Sequence, residues 1–350
     1  MEKVTLKQIA ELAGVSLTTV HRVLNGKGGT SKKVEENILR IAREQGYAIN
    51  VAASNLRKQP LHIALVFPLM DIRTGAHYFV NRILDGYLTY RQEVSQFNVV
   101  FQEFYFRSNL ELEKILKQIY RDQPVHYDGI VIYGLSIDAK AEAIVNRIVG
   151  SGTKVVVLER TPKALEDICS VEVNDVVAGN LAGDVFSQSL HGSGTVAIIN
   201  QQLAEGDPNG TACAKCLQEY RPDLNVVQIS LDLSENQSEA IGEFLQRNQD
   251  IRAAYATSAR HTNSLLKAIK KVNNQLQVII GSELFEESYD ALQNRTLHAV
   301  IDKRPEQIGY KALQLLFGAL VRKDELPTVH RVTPRIILRA NSDIYYIKKE

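Results

Sequence analysis

A stretch near the amino terminus, residues 4–25 (VTLKQIAELAGVSLTTVHRVLN), constrains the fold of this chain more than any other. It contains two short helical patterns separated by a tight turn at Gly14. Thr5 is suited to cap the first helix, with Gln8 placed to complete a capping box, and Ser16 is suited to cap the second. This arrangement predicts a helix-turn-helix whose second helix reads the major groove. An ordinary hairpin in an all-α domain fits the same spacing.

The two helices separate apolar from polar positions. Ile9, Leu12 and Ala13 fall on one face of the first helix, and residues 32–45 (KKVEENILRIAREQ) would form a third helix that closes the core. Thr18 and Arg22 are the predicted base readers. The full set of residues expected at the DNA in this region is Thr5, Ser16, Leu17, Thr18, Thr19, His21, Arg22, Asn25 and Lys27.

Charge is unevenly distributed along the 350 residues. Residues 1–60 hold ten Lys and Arg against five Asp and Glu, the remainder hold 31 against 35, and the whole chain carries +1. A basic amino-terminal segment on a mildly acidic body is typical of local nucleic-acid contact. The sequence begins without a secretion signal and contains no run approaching the ~20 apolar residues of a membrane span. We therefore expect a cytoplasmic, nucleoid-associated protein with no membrane partner.

Neither catalysis nor a cofactor is predicted. The three cysteines, Cys169, Cys213 and Cys216, are an odd number and do not suggest a disulfide framework. The CxxC formed by the last two has no companion pair, so packing or surface roles are favoured over metal or redox chemistry. The sequence contains no GxSxG, Walker-type or HExxH motif.

Downstream of Pro60, short apolar runs alternate with amphipathic helical segments. Such runs indicate parallel strands covered on both faces by helices, and about 290 residues suffice for two units of this kind. The predicted strands cover residues 62–67, 99–106, 128–134, 154–159, 194–200, 225–232, 253–257, 277–281 and 297–302.

Residues 10–25 (AELAGVSLTTVHRVLN) closely resemble the headpiece of lactose-repressor-family (LacI/GalR) transcription factors, although the family usually has serine at the place of His21. The later α/β pattern resembles the periplasmic-binding-protein-like core of that family. The resemblance implies an all-α headpiece (1–47), a hinge (48–60) and a core of two doubly wound parallel-sheet lobes (61–350). By analogy, the first lobe comprises about 61–161 plus 286–321, and the second about 162–285 plus 322–345.

The hinge segment, residues 47–59 (YAINVAASNLRKQ), is short and helix-permissive. In the family, the matching segment folds into a helix when two chains meet on DNA, and a leucine wedges into the minor groove. Leu56 is the matching residue here, and Asn50 and Ala53 are expected to contact DNA beside it. A pair of such wedges would kink the duplex. The alternative is that Leu56 docks onto the core.

The effector is expected in the crevice between the lobes, at the carboxyl ends of the strands. Tyr78-Phe79 resembles the sugar-stacking position of the family, or it begins a helix that packs inward. Glu159-Arg160 resembles the Asp-Arg pair that holds vicinal hydroxyls, or it is a surface ion pair. The predicted effector residues are Asp71, Tyr78, Phe79, Glu159, Arg160, Asn200, Ser258, Glu283 and Lys303.

Lys303 occupies the place of a pocket glutamine in the family. If it faces the crevice beside Arg160, an acidic sugar, a sugar phosphate or another anion is favoured over a neutral sugar; otherwise Lys303 points to solvent. Asn174 and Asp175 resemble a family Asp-Asn pair in reversed order, and we expect them to cap the next helix rather than to touch ligand.

These features predict a sequence-specific transcriptional regulator. We expect a repressor that binds a palindromic DNA operator as a homodimer and responds to a small-molecule effector, a sugar or sugar derivative. The main alternative is a solute-binding protein for a transporter, and a sugar-modifying enzyme is third. The last residues (SDIYYIKKE) show no apolar heptad repeat, so a coiled-coil tetramer is not indicated.

Overall fold

The fold is that of an all-α amino-terminal unit and a two-lobed α/β core, as predicted. A computed structural model describes residues 4–24, 30–45, 59–70, 76–121, 126–202, 206–231, 236–272 and 276–346. Six predicted site residues lie outside these ranges: Asn25, Lys27, Asn50, Ala53, Leu56 and Asp71.

The amino-terminal unit, called the headpiece below, consists of three helices: α1 (Leu6–Ala13), α2 (Leu17–Leu24) and α3 (Lys32–Glu44). Apolar side chains from all three helices form one core, because each helix has an apolar stripe at helical spacing. Its buried members are Ile9, Ala10, Val20, Val23, Leu24, Ile38, Ile41 and Ala42. Leu12 was expected on the inner face but is 57% exposed, since Ala10 takes the inward position instead.

The first lobe of the core is built on a six-stranded sheet. Its strands are β1 (Leu61–Pro68), β2 (Val99–Phe106), β3 (Gly129–Tyr133), β4 (Lys154–Leu158), β5 (Cys169–Val173) and β11 (Val329–Val332), in the spatial order β11-β5-β4-β3-β1-β2. Its helices are α4 (Ala76–Glu93), α5 (Asn109–Arg121), α6 (Ala139–Gly150) and α12 (Pro305–Phe317).

The second lobe is built on a sheet of the same size. Its strands are β6 (Gly194–Gln201), β7 (Leu224–Leu231), β8 (Ile251–Ala256), β9 (Val278–Ser282), β10 (Ala299–Asp302) and β12 (Arg335–Ile337), in the spatial order β12-β10-β9-β8-β6-β7. Its helices are α7 (Asp175–Ser189), α8 (Pro208–Tyr220), α9 (Gln237–Arg247), α10 (Ala259–Ile269), α11 (Glu286–Gln293) and α13 (Ser342–Tyr345).

The chain crosses between the lobes later than the sequence suggested. The expected crossings near residues 161, 285 and 322 are wrong: β5 and β11 still belong to the first sheet, and β10 belongs to the second. The crossings therefore lie after β5, between β10 and α12, and between β11 and β12. The errors near residues 161 and 322 arise because β5 and β11 contain polar residues (CSVEV and VHRV), which obscure their strand character in the sequence.

Two helices of the first lobe, α4 and α12, pack against each other at very short distance. A Cβ at Gly86 of α4 would lie 1.8 Å from the carbonyl oxygen of Glu306, and a Cβ at Gly309 of α12 would lie 1.8 Å from that of Ile83. Only glycine permits this approach of two backbones. This contact holds the amino-terminal half of α12 against α4.

Candidate functional site

The headpiece geometry is set by local capping. Thr5 accepts from the backbone N–H of Gln8 at 3.4 Å, and the Gln8 side chain accepts from the Thr5 N–H at 2.7 Å, which completes the predicted capping box. Gly14 ends α1 with φ 67°, a left-handed conformation that glycine adopts without strain. The hydroxyl of Ser16 then accepts from the N–H of Thr19 at 3.1 Å and starts α2.

The outer face of α2 carries the side chains predicted to read DNA. Leu17, Thr18, His21 and Arg22 are exposed, whereas Thr19 is half-buried and its hydroxyl lies 2.8 Å from that of Ser16. Because Val20, Val23 and Leu24 are held in the headpiece core, this face is rigidly presented. The arrangement matches a recognition helix with its first two turns available to base edges and phosphates.

Three residues with unusual backbones mark the crevice between the lobes. Glu159 follows β4 with φ 66°, Glu283 follows β9 with φ 65°, and Arg304 follows β10 with φ 57°. Residues with a Cβ seldom adopt this conformation, and where they do the strain is commonly held at functional positions. In each case a charged side chain leaves the carboxyl end of a strand, the edge where α/β sheets bind ligands.

Glu159 turns its carboxyl inward. The Oε1 atom is buried without a hydrogen-bond partner among the described residues, although the residue as a whole is partly exposed. Burial and the negative charge of Asp175 together raise the pKa of Glu159 to about 8, against the opposing charge of Lys303. Arg160, in contrast, is exposed, so the two residues of the predicted Glu159-Arg160 pair face different surroundings.

Glu283 is the most completely buried of these carboxyls. The residue is 4% exposed, and neither carboxyl oxygen has a hydrogen-bond partner among the described residues. Burial raises its pKa well above the ordinary value, with further contributions from the charges of Asp302, Glu306 and Glu159, while Lys303 lowers it. Glu159 belongs to the first lobe and Glu283 to the second, and they influence each other across the crevice.

Lys303 lies within this group of carboxyls rather than in solvent. Its side chain is 14% exposed, and Nζ is 3.5 Å from a carboxylate oxygen of Asp175. Burial alone would lower the pKa of Lys303, but Asp175, Tyr255, Glu283 and Asp207 hold it above its usual value. Lys303 thus faces the crevice, the first of its two expected alternatives, but neighbouring acids compensate its charge. An anionic effector stays a prediction.

Tyr78 bridges the two lobes. Its ring stacks on Phe285 with a centroid separation of 4.4 Å and an interplanar angle of 14°, and its hydroxyl donates to Glu287 at 2.9 Å. Burial and the Glu287 carboxylate raise the pKa of Tyr78. Phe79 is half-buried on the same first turn of α4. The ring face expected to stack on a sugar is thus occupied by Phe285 in this structure.

The other two predicted effector residues have local partners. The amide of Asn200 donates to Gln228 at 2.8 Å and accepts from Ser230 at 2.7 Å, which locks it between β6 and β7. Ser258 caps α10 by accepting from the N–H of His261 at 3.3 Å. Asn174 caps α7 through Val177, as expected. Its neighbour Asp175 was assigned the same role, but it pairs with Lys303.

Sequence reasoning missed several members of the crevice. Asp207 accepts from the hydroxyl of Thr257 at 2.7 Å, and its charge helps to raise the pKa of Lys303. Tyr133 ends β3, and the positive charge of Arg260, in the first turn of α10, opposes the rise in its pKa that burial and Glu159 cause. A search of the last residue of each strand, and of the N-cap and first turn of the next helix, would have found all three.

Burial also shifts the pKa values of His261 and of the cysteines. Burial lowers the pKa of His261 to about 4, so its imidazole is neutral at physiological pH. The three cysteines are free and buried, and burial raises the pKa of Cys169 and of Cys216 to about 11. In the part of the chain that the structure describes, no group of three His, Cys, Asp or Glu side chains could hold a metal. Within the same ranges, every helix is too short or too polar to cross a bilayer.

Two family models match the chain where the geometry leads one to expect them. The model described as "Bacterial regulatory proteins, lacI family" matches residues 5–50, which include α1, α2 and α3. The model described as "Periplasmic binding protein domain" matches residues 112–324, the larger part of the two lobes. The chain belongs to the lacI family of bacterial regulatory proteins. Its core is a periplasmic-binding-protein domain.

Individual lacI-family relatives resemble the chain over limited stretches. The "Ribitol operon repressor" of Klebsiella aerogenes is 47% identical over 77 residues, which cover 21% of this chain and 28% of that protein. The "Probable HTH-type transcriptional repressor ExuR" of Bacillus subtilis (strain 168) is 31% identical over 217 residues, covering 58% and 59%. The matched stretches thus span less than two thirds of these relatives.

The fold of the core is also found in solved structures. A solute-binding protein of an ABC transporter from Burkholderia graminis C4D1M, in complex with D-arabinose, superposes with a TM-score of 0.69 and 18% identity. The match covers 83% of this chain and 99% of that chain. At this level of identity the likeness shows the two-lobed fold alone.

Proposed function

We propose that this lacI-family protein is a cytoplasmic transcriptional repressor that binds a palindromic operator as a homodimer. The observation that carries the proposal is the exposed outer face of α2, where Leu17, Thr18, His21 and Arg22 stand on a rigid headpiece. Thr18 and Arg22 read base edges, assisted by Leu17, while Ser16 and Thr19 hold the phosphate backbone.

The segment between headpiece and core couples the two functions. We propose that 1–47, 48–60 and 61–350 act as headpiece, hinge and sensor, as the family resemblance implies. On DNA, Leu56 of each protomer wedges into the minor groove, with Asn50 and Ala53 beside it. Asn25 and Lys27 add phosphate contacts next to α2.

The inter-lobe crevice is the proposed effector site. Charged side chains converge there from the ends of β4, β9 and β10. Both carboxyl oxygens of Glu283, one of Glu159 and the Nε of Arg304 are buried without hydrogen-bond partners among the described residues. A small molecule that satisfies these groups favours the closed arrangement of the lobes over the open one. That preference changes the separation of the two hinges, and so the affinity for the operator.

Selection from randomised DNA tests the proposed repressor directly. The full-length protein should enrich a symmetric sequence with two half-sites, and binding should weaken steeply as salt rises, because Lys and Arg displace counterions from phosphate. Sedimentation should show two protomers per operator. Failure to enrich any symmetric sequence would reject DNA-directed regulation and revive a solute-binding role.

A further inference from the structure

Glu283 is an unsatisfied buried carboxyl at the centre of the proposed effector site. It is 4% exposed, and both of its oxygens lack hydrogen-bond partners among the described residues. Its backbone is fixed, because its N–H donates to Ile301 at 3.1 Å and its carbonyl accepts from Ser288 at 2.9 Å. A buried carboxyl in this state is costly unless it is protonated or meets a donor.

The opposite lobe supplies a second carboxyl, Glu159, one of whose oxygens is in the same condition. Glu159 follows β4 with the same left-handed backbone conformation that Glu283 has after β9. Its Oε1 is buried without a hydrogen-bond partner among the described residues. Its N–H donates to Val171 at 2.9 Å, so its backbone is equally fixed. The crevice is therefore bounded on both sides by carboxyls held in strained conformations and lacking donors.

The charges around these two carboxyls do not balance. When both carboxyls are ionised, they form with Asp175 and Asp207 a group of four acids, against the three cations Lys303, Arg260 and Arg304. In the free protein the raised pKa of Glu159 and of Glu283 keeps both protonated and removes that excess. Neighbouring charges outside this group are compensated: Asp302 pairs with Arg335 at 2.6 Å, and Glu306 pairs with Arg82 and Arg335 at 3.4 Å each. Arg160 and Glu172 lie at its edge and oppose one another in their effect on Glu159.

Building on the proposed regulator function, we infer that the effector is a polyol carrying a primary ammonium group, an amino sugar, whose cation binds between Glu159 and Glu283. An ammonium offers three donors to carboxylate oxygens, and its positive charge compensates the excess acid. An ionised carboxylate or phosphate at the same place has no hydrogen to donate, and it would repel both carboxyls once they ionise.

Matched ligands test this assignment on the full-length protein. The amines are D-glucosamine, D-galactosamine, D-mannosamine and 6-amino-6-deoxy-D-glucose. Each is compared with its parent hexose and its N-acetyl derivative, which keep the ring but lose the charge; D-glucuronate and D-galacturonate serve as acidic counterparts. At least one amine should raise the melting temperature and bind at least 10-fold more tightly than its neutral and acidic counterparts.

Calorimetry at pH 7 in two buffers of different ionisation enthalpy adds a second readout. The carboxyls that are protonated in the free protein should ionise against the ammonium, so binding should release protons. Glu283→Gln should lower the affinity for the amine at least 10-fold and abolish much of the proton release. Glu243→Gln, on the exposed face of α9 where Glu243 pairs with Arg247 at 3.0 Å, is the matched control and should change neither.

The inference is overturned if no amine stabilises the protein, or if a parent hexose, N-acetyl sugar or uronate binds as tightly as its amine. If Glu283→Gln does not fold, Glu159→Gln supplies the same comparison. These results are separable from the regulator proposal. Enrichment of a symmetric operator together with failure of every amine would reject the ligand class and leave the proposed function in place.

Discussion

Tyr78 and Phe285 stack across the crevice, each from a different lobe, with ring centroids 4.4 Å apart and planes inclined by 14°. The Tyr78 hydroxyl extends the contact by donating to Glu287 at 2.9 Å. Parallel aromatic stacking and a charge-assisted hydrogen bond are short-range interactions, and both are lost when the lobes separate. This contact therefore favours the closed arrangement of the core.

Removing that contact should open the core. The stack contributes about 0.5–1.5 kcal/mol, so Tyr78→Ala should weaken effector binding by roughly 2- to 10-fold through a smaller closed population. Tyr78→Phe, which retains the stack, should have the smaller effect. Small-angle scattering should show a larger radius of gyration for the alanine variant.

Tyr105→Phe is a suitable control, because the Tyr105 hydroxyl donates to Glu103 at 2.9 Å within the first lobe alone. It should leave the radius of gyration and effector affinity unchanged. An unchanged radius in Tyr78→Ala would mean that the contact does not hold the lobes together.

Arg22 should contribute to sequence readout rather than to stability. Arg22→Ala should cost about 1–3 kcal/mol of operator binding and relax the preference at one position of each half-site. Arg40→Ala on α3 is the matched control, because it also removes an exposed arginine. Arg40 pairs with Glu44 at 2.7 Å on the surface. The Arg40→Ala variant should leave specificity intact. Selection with both variants measures the difference, and identical base preferences in Arg22→Ala and wild type would contradict the assignment.

Leu56 should act on the shape of the operator. If it wedges into the minor groove, Leu56→Ala should weaken specific binding much more than nonspecific binding, because only the kinked site uses the wedge. Circular-permutation mobility reports the bend angle. The same bend in wild type and variant would remove Leu56 from the mechanism and favour docking on the core.

Local sequence signals were sufficient to predict the three headpiece helices and their caps, although not the orientation of Leu12. Thr5 and Gln8 form the expected capping box, and Gly14 has the expected left-handed backbone, because each depends only on residues within one turn. The continuous apolar strands were predicted because an apolar run is also a local feature of the sequence. Strand β5 and its neighbour β11, at the edge of the sheet, were not predicted, because Glu172 and Arg331 interrupt their apolar character.

Contacts between distant residues explain why the effector site was predicted less well. The pairing of Lys303 with Asp175, and of Tyr78 with Phe285, joins parts of the chain that only the tertiary fold brings together. The sequence placed Glu159, Glu283 and Lys303 correctly at strand ends, but not the balance of charge among them. That balance is the basis on which we infer a cationic rather than an anionic ligand.

Lys303→Gln tests the charge balance in the crevice by removing one of its cations. Because Nζ lies 3.5 Å from Asp175 and both side chains are partly exposed, loss of the pair should cost about 1–2 kcal/mol of stability. The variant should bind an amino sugar more tightly than wild type does, because one competing cation has gone. Urea unfolding measures the loss of stability, and calorimetry measures the affinity for the amino sugar. Weaker amine binding in a folded Lys303→Gln protein would place the lysine in direct contact with ligand instead.

Glu159 should make stability depend on pH with a defined sign. The pKa of Glu159 rises from the ordinary value of 4.5 to about 8 on folding, so the folded protein holds this proton more tightly than the unfolded chain does. Below pH 4.5 both states are protonated and the carboxyl costs nothing. As pH rises from 4.5 to 8, the unfolded chain ionises first, and the free energy of unfolding falls. Above pH 8 both states are ionised and the penalty stays constant.

Glu159→Gln should remove this dependence. The variant should equal wild type in stability near pH 5 and exceed it by about 1–3 kcal/mol near pH 8, an amount that allows for the partial exposure of Glu159. Urea unfolding at pH 5, 6.5 and 8 measures the difference, with Glu243→Gln as the pH-independent control. A gain that is equal at all three values would show that Glu159 is already ionised in the folded state. In that case a cation other than the effector must stand beside it, because a carboxylate buried with an excess of acids is otherwise unfavourable.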